Sequence, residues 1–400
     1  MNIHYDSQSG KWYQTSLDTA VTIGGMNEIL PRKTKKEADF SFDLTTKNGK
    51  VGPLIGILTA RKTDGTISGN SSLFIQLQKK LLAQKGFSFI FTADSVNGIM
   101  VNGYAYLPEE QSWKKMTFPY PDLVYNRIPF RKSEKEKNVR TILADLKAKN
   151  IPFFNPCFLD KYQVYHLFKN HSVLQNFLPE TNLITGDVEL RTFLQKHTSV
   201  YVKPTQAAKG KGIFRLRLEN ESEISFEGLL ERKQYQSFAA FWQEQGSNLT
   251  EKPYLVQEEI SPSRYKGKRF DFRILAHADL NDYRVTGIGI RQSQDQELTT
   301  HIPNGGRLLP YHLFQTAELD QFIQLVVSHV GRTLTTELGY FGEFSIDAGI
   351  SKEGKYYLFE VNAKPMRFDE EEIEELRVTR LCRLFFQLTG FENKRRKRLG

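Results

Sequence analysis

Over the first 51 positions apolar residues alternate in short stretches with polar breaks, which predicts a β-rich N-terminal segment; Arg32 to Lys36 and Glu37 read as an exposed loop or hairpin. The pattern changes at Gly52. GPLIGILTA reads as a buried strand and SSLFIQLQKKLLAQKGF as an amphipathic helix capped by Ser71 or Ser72 and closed by Gly86. FSFIFTA and PDLVYNRI read as two further strands, the last ending at Pro129. Strand, helix, strand implies a small α/β domain over 52–150, which runs into the charged helix SEKEKNVRTILADLKAKN. From 151 onward β-rich runs outnumber helices: VYVKP, GIFRLRL, YLVQEEI, RFDFRILAH, RVTGIGIRQ, YFGEFSIDAGI and KYYLFEVNA. One strongly periodic helix, ELDQFIQLVVSHVGRTLTTELG, stands among them and stops at Gly339. The expectation is an antiparallel α+β domain over 151–392 with a basic tail at 393–400, a charge run of the kind solvent normally covers.

Composition excludes some partners. A hydrophobic share of 39% suits a folded soluble chain, and a formal charge of +9 favours anionic ligands. The basic residues form no long stripe and no nucleic-acid module is recognisable, so a nucleic-acid partner is not expected. Cys157 and Cys382 match no metal or redox spacing, which points to a reduced cytoplasmic setting with neither acting as nucleophile. The N-terminus lacks the apolar stretch of a signal peptide, and no run approaches the roughly 18 apolar residues of a membrane helix, so membrane insertion is not expected.

The most informative stretch is GEFSIDAGISKEGKYYLFEVNAKP. If Glu353 and Gly354 form a two-residue turn, pairing outward from it places Asp347 directly opposite Glu360, with Asn362 on the same face, and Lys364 opposite Glu343 as a surface ion pair. Facing carboxylates about 5 Å apart repel, so something positive must sit between them. A hard divalent cation does this with oxygen ligands; a salt bridge to one carboxylate is the plainer alternative.

A second element is VYVKPTQAAKGKGIFRLRL, in which Lys203 points outward and Gly210, Lys211 and Gly212 let backbone amides approach an anion between two strands. YLVQEEI could offer Gln257, Glu258, Glu259 and Ile260 to a purine nucleoside, although either glutamate could equally face solvent. In RFDFRILAH, Asp271 and Arg273 share one face; Arg273 and Arg291 could clamp phosphate or carboxylate oxygens, with a salt bridge to Asp271 as the alternative.

These residues, in this order, resemble the ATP-grasp superfamily over roughly 150–390. The resemblance implies that Asp160-Lys161 is the opening motif whose lysine touches phosphate, that Lys203 is the second ATP lysine, and that GKGI covers the phosphates. It further implies that Gln257 to Ile260 receive adenine, and that Asp271-Phe272-Arg273 and Asn304-Gly305-Gly306 line the substrate end. Asp347, Glu360 and Asn362 become the ligands of Mg²⁺, with Mn²⁺ as a substitute. Ala207 and Ala208 depart from the Gly or Ser common in that loop. VYNRIPFR together with FEVNAKP is similar to YheC/YheD-type proteins, which implies association with the endospore coat and its proteins. The implied reaction joins a small-molecule or peptide carboxylate to an amine acceptor through an acyl phosphate, with Arg273 and Arg291 catalytic. A kinase-like transfer and a coat component that binds nucleotide without turnover are the competing readings. Tyr125, Asn126 and Arg127 either contact substrate or cap a domain interface.

Overall fold

The computed structural model of the chain describes every residue except 16–19, 34–38, 207–210, 295–297, 299, 301–305 and 393–400. The basic run after Arg32, Gly210, Asn304, Gly305 and the terminal tail therefore fall wholly or partly outside the described residues, as do Ala207 and Ala208.

Two small sheets fill the N-terminal segment, one joining Asn2–Asp6 to Lys11–Gln14 and Phe40–Asp43, the other built on Val21–Ile23 and Lys50–Gly52. Next comes a sheet in which Phe87–Thr92, Leu54–Arg61, Leu123–Asn126 and Phe153–Phe154 run parallel in that spatial order. All three expected strands are present; the hairpin Met100–Leu107 with Ser112–Pro119, which extends the far edge, was not anticipated. The helix Ser71–Ala83 is capped by Asn70 rather than Ser71 or Ser72. Both serines already lie inside the first turn, and only Asn70 is placed to accept from Leu73 N–H at 3.2 Å.

The remaining chain makes two antiparallel sheets. The smaller lobe orders Thr181–Leu183, Tyr254–Glu258, Ser199–Pro204, Phe214–Leu218, Ile224–Gly228 and Arg232–Tyr235 side by side. Helices Asp187–His197 and Phe238–Glu251 pack on it around Leu190, Phe193, Val200, Leu216 and Phe241. The second sheet orders Arg307–Leu309, Asp282–Gln292, Lys268–Asp279, Glu343–Ile350 and Tyr356–Asn362. Its apolar face, with Phe344 and Ile346, is covered by the long helix Ala317–Leu338. The helix Glu371–Leu388, not anticipated from the sequence, covers part of the opposite face and reaches Ser71–Ala83 of the parallel sheet. One apolar core consequently runs from Ile55 and Leu77 through Tyr125 and Phe385 to Ile346 and Val327. Among the described residues no helix is long and apolar enough to cross a membrane.

Close packing sets one local demand in the long helix. At Gly331 an added Cβ would lie 2.2 Å from the Tyr283 ring, and that ring is held by the Thr335 hydroxyl and packed on Phe344. Gly331→Ala is expected to lower stability by about 1–3 kcal/mol through overpacking, read as a shift of the urea midpoint at unchanged m-value.

A candidate metal and nucleotide centre

The hairpin of Glu343–Ile350 and Tyr356–Asn362 reaches the expected pairing by an unexpected route. Ser351 N–H donates to the Lys355 carbonyl at 2.8 Å, so Lys352, Glu353 and Gly354 all lie in the turn instead of Glu353 and Gly354 alone, and Gly354 takes the positive φ of 84°. That extra residue offsets the pairing of Ile350 with Tyr356 and of Ala348 with Leu358. A bulge between Asp347 and Ala348 leaves Phe359 unpaired and restores the register, so Asp347 does face Glu360, and Ser345 faces Asn362. Phe359 lies over Gly349, where a Cβ would stand 2.6 Å from its ring.

Two cations meet the facing carboxylates. Lys161, at the start of the helix Lys161–Lys169 capped by Asp160, donates to Glu360 Oε1 at 2.9 Å. Arg291 donates from Nη2 to Asp347 Oδ1 at 3.0 Å and from Nε to Asp271 Oδ1 at 3.1 Å, and the Thr300 hydroxyl also donates to Asp271. Burial would weaken the Arg291 charge, but Asp271 and Asp347 outweigh it and hold its pKa above the ordinary guanidinium value. Among the described residues no three His, Cys, Asp or Glu side chains gather as a metal cluster. The donor set is instead two carboxylates and an amide, with Asn362 Nδ2 3.4 Å from Asp347 Oδ2. Carboxylate and amide oxygens suit a hard divalent cation such as Mg²⁺ in kind, Asp347 and Glu360 are paired across the hairpin, and Lys161 and Arg291 hold the charge such an ion would share.

Beside this pair, a narrow cleft of about 40 Å³ runs between the hairpin and the smaller lobe, lined by Val164, Tyr165, Phe168, Leu178, Lys203 and Gln257 among others. Lys203 donates to Gln257 Oε1 at 2.5 Å, and Gln257 Nε2 donates to Thr181 Oγ1 at 3.0 Å. Burial lowers the Lys203 pKa to about 8, partly opposed by Glu360. The Glu258 carboxylate accepts from Glu180 N–H at 2.8 Å, and Glu259 accepts from Ser199 Oγ and from Arg215 at 2.7 Å. Neither glutamate is idle at the surface. Backbone N–H groups of Glu258 and Glu259 donate to Glu180 and Ser199 carbonyls, which makes Ile260 the first residue beyond the strand pairing. Lys211 is exposed, and Gly212, at a φ of 72°, packs its Cα side on Pro204.

Arg273 stands opposite both Gly289 and Asp347 in the sheet. Its Nη2 donates to the Met366 carbonyl at 3.1 Å and its guanidinium lies 4.4 Å from the Phe368 ring centre, while burial pulls its pKa down. The arginine that pairs with Asp271 is Arg291 instead.

Arg127 lies away from this cleft, buried in the joint between the parallel sheet and the second sheet. Its Nη2 donates to the Pro365 carbonyl at 3.0 Å and its Nη1 to Glu343 Oε2 at 3.4 Å, and Tyr125 Oη donates to the same Oε2 at 2.6 Å. Of the two sequence alternatives the geometry matches the interface cap. Arg377 completes the cluster with a two-pronged contact to Glu343 at 2.5 and 3.0 Å, and His277 Nε2 faces Oε1 at 3.3 Å. Burial alone would raise the Glu343 carboxyl; Arg377, with His277 and Arg127, holds it well below the usual range. The expected surface pair of Lys364 with Glu343 is therefore corrected. Glu343 is fully buried among these groups, and Lys364, itself buried, turns to Glu134 and Asn126 at the same joint. Cys382 is buried, which pushes its thiol up to about 12 and leaves it unreactive.

The profile of the YheC/D-like ATP-grasp family matches residues 150–387. The chain belongs to this family. Among curated relatives, the endospore coat-associated protein YheD of Bacillus subtilis (strain 168) is 30% identical over 340 residues, covering 79% of this chain and 73% of YheD. The endospore coat-associated protein YheC of the same strain is 22% identical over 299 residues, covering 70% of this chain and 82% of YheC. Among solved structures, D-alanyl-alanine synthetase A from Vibrio cholerae matches with a TM-score of 0.53 at 11% identity, covering 85% of this chain and 99% of that one. VanG D-Ala:D-Ser ligase from Enterococcus faecalis matches at 0.50 and 11%, over 84% and 99%. At such identities the likeness establishes the YheC/D-like ATP-grasp chain as α+β with the ATP-grasp fold, the class its sequence pattern and the fold its resemblance implied.

Proposed function

We propose that this YheC/D-like ATP-grasp protein is an ATP- and Mg²⁺-dependent ligase that activates a carboxylate as an acyl phosphate and joins it to an amine, in the cytoplasm and in association with the endospore coat. The observation that carries the reading is the cross-strand pair Asp347–Glu360, with Asn362 beside it and a cation set against each carboxylate. Mg²⁺ held by Asp347, Glu360 and Asn362 would supply charge neutralisation at the phosphates. Lys161 and Lys203 flank the same cleft and would bind phosphate oxygens on leaving Glu360 and Gln257, while Tyr165, Phe168 and Leu178 offer an apolar slot for the adenine ring. The substrate carboxylate oxygen would attack the γ-phosphorus, releasing ADP, and the amine would then displace phosphate from the acyl carbon. Arg291 and Arg273, on the face shared with Asp347, would bind the phosphoryl oxygens through both steps. No enzyme nucleophile is needed. The ligase activities named for the two solved neighbours, and the coat association named for YheC and YheD, support this reading.

Calorimetry with ATP tests it, and Lys203 gives the test a pH signature. In the free protein Lys203 titrates near pH 8, and a bound triphosphate would raise that value, so binding above pH 8 should take up a proton. Affinity is expected to depend on Mg²⁺ and to fall about tenfold between pH 7 and pH 9, with the fall removed in Lys203→Met. Absence of ATP binding with and without Mg²⁺ would defeat the proposal.

A further inference from the structure

Among the described residues no capping bond or ion pair engages the carboxylate of Glu370. It occupies the cap position of the helix Glu371–Leu388, yet its side chain makes no capping bond there. Among the described residues its buried Oε1 has no hydrogen-bond partner, whereas its neighbours on the same face are engaged: Arg273 with Met366, Arg291 with Asp271 and Asp347. Leaving a buried carboxylate oxygen unpaired is costly, and such a cost persists where a site needs it.

The carboxylate lies against a glycine. A Cβ at Gly289 would lie 2.5 Å from Glu370 Oε1, so any larger residue there would displace the carboxylate from this point of the sheet. Gly289, Arg273 and Asp347 are directly opposed on three adjacent strands and so project to one face. Strand spacing then puts the place above Gly289 about 10 Å from Asp347, with Arg273 midway. Beyond it the face is closed, because Ile373 covers Gly287. The row therefore presents a carboxylate of the metal centre, a guanidinium, and an unpaired carboxylate at the closed end.

We infer that Glu370 seats the ammonium group of the acceptor amine. The assignment rests on the ligase reading and adds the chemistry of the second substrate, a cationic primary amine. The row matches the order of the reaction, with phosphate at Asp347, the acyl phosphate oxygens at Arg273, and the amine at Glu370. Burial raises the Glu370 carboxyl above its ordinary value, with Arg273 and Arg291 opposing, so it is a stronger proton acceptor than an exposed glutamate. The ammonium passes one proton to Glu370; its nitrogen lone pair forms the C–N bond, the C–O bond to phosphate breaks with its electron pair, and the second nitrogen proton leaves with the phosphate.

Glycinamide, largely cationic at pH 7, is the probe. Saturation-transfer NMR on the full chain with Mg-ADP is expected to show glycinamide bound to the wild type. The signal should fall at least fivefold in Glu370→Gln and in Gly289→Ala, the second of which crowds the carboxylate without removing it. Calorimetry with ATP on each variant is expected to stay within threefold of wild type, which shows that both are folded. Equal glycinamide signals in wild type and Glu370→Gln, or no signal in a wild type that binds ATP, overturns the assignment. A wild type that binds no ATP overturns the ligase reading, and the assignment with it.

Discussion

Arg377→Ala is expected to lower stability by about 3–5 kcal/mol, because it strips the principal partner from a carboxylate that has no route to water. Glu343 is fully buried and receives both prongs of the Arg377 guanidinium, along with Tyr125 Oη, Arg127 and His277. The truncation leaves that charge with the Tyr125 hydroxyl, the His277 ring and one long contact from Arg127, and opens a cavity in the core shared by the parallel sheet and the second sheet. Urea titration reads the loss directly. The double replacement Arg377→Met with Glu343→Leu should recover most of it, since removing both charges removes the desolvation problem. A loss below about 1 kcal/mol in the single variant would show that the pair contributes little. The wild type carries the same dependence in its acid response. The Glu343 pKa is depressed in the folded state, so its contribution is complete above the ordinary glutamate value of 4.5 and is lost as pH falls through the much lower folded value. Arg377→Ala should flatten that acid limb.

Glu360→Ala should weaken Mg²⁺-dependent ATP binding by about a hundredfold or more, since even outer partners of metal ligands are worth ten- to a hundredfold. The direction without Mg²⁺ is informative. Glu360 then acts as an anion beside Lys161, at 2.9 Å, and Lys203, so its removal takes a negative charge away from the cleft and binding should change little or improve. Calorimetry on both proteins, with and without Mg²⁺, separates the two roles. Identical Mg²⁺ dependence in wild type and variant would remove Glu360 from the metal set.

Local alternation made much of the second sheet legible: RFDFRILAH correctly separated Asp271 and Arg273 from Phe270, Phe272 and Ile274, because one face of that strand packs on an apolar helix. The Asp347–Glu360 pairing was also reached, but through two deviations that cancel, a longer turn and the bulge at Phe359. Neither leaves a composition signal, since Ser351 and Lys352 suit a turn or a strand end equally and Phe359 continues the apolar pattern. The Glu343 cluster was out of reach for a different reason. Its members lie at 125, 127, 277 and 377, and only the packing of three elements brings them together. The spacing of Glu374 and Arg377, at i and i+3 on an apolar helix, was the one local hint. Lys364 was misplaced for the same reason: strand register tells which residue stands opposite, not what lies above the strand.

The division of the apolar core has a mechanical consequence. The parallel sheet, the second sheet and the helix between them share one continuous core, and the Glu343 cluster pins that joint on the strand that also carries Asp347. The smaller lobe has a core of its own and touches this frame through polar ties such as Arg269 to Tyr201 at 3.1 Å and Lys161 N–H to the Thr205 carbonyl at 3.2 Å. The cleft is therefore walled on one side by a lobe with its own core and on the other by the shared frame, so a shift of one wall against the other would disturb neither core. Lys161 stands where the two walls meet, its helix seated in the shared core, its N–H bonded to the smaller lobe and its ammonium on Glu360, so the spacing of the walls and the charge facing the cleft are tied together.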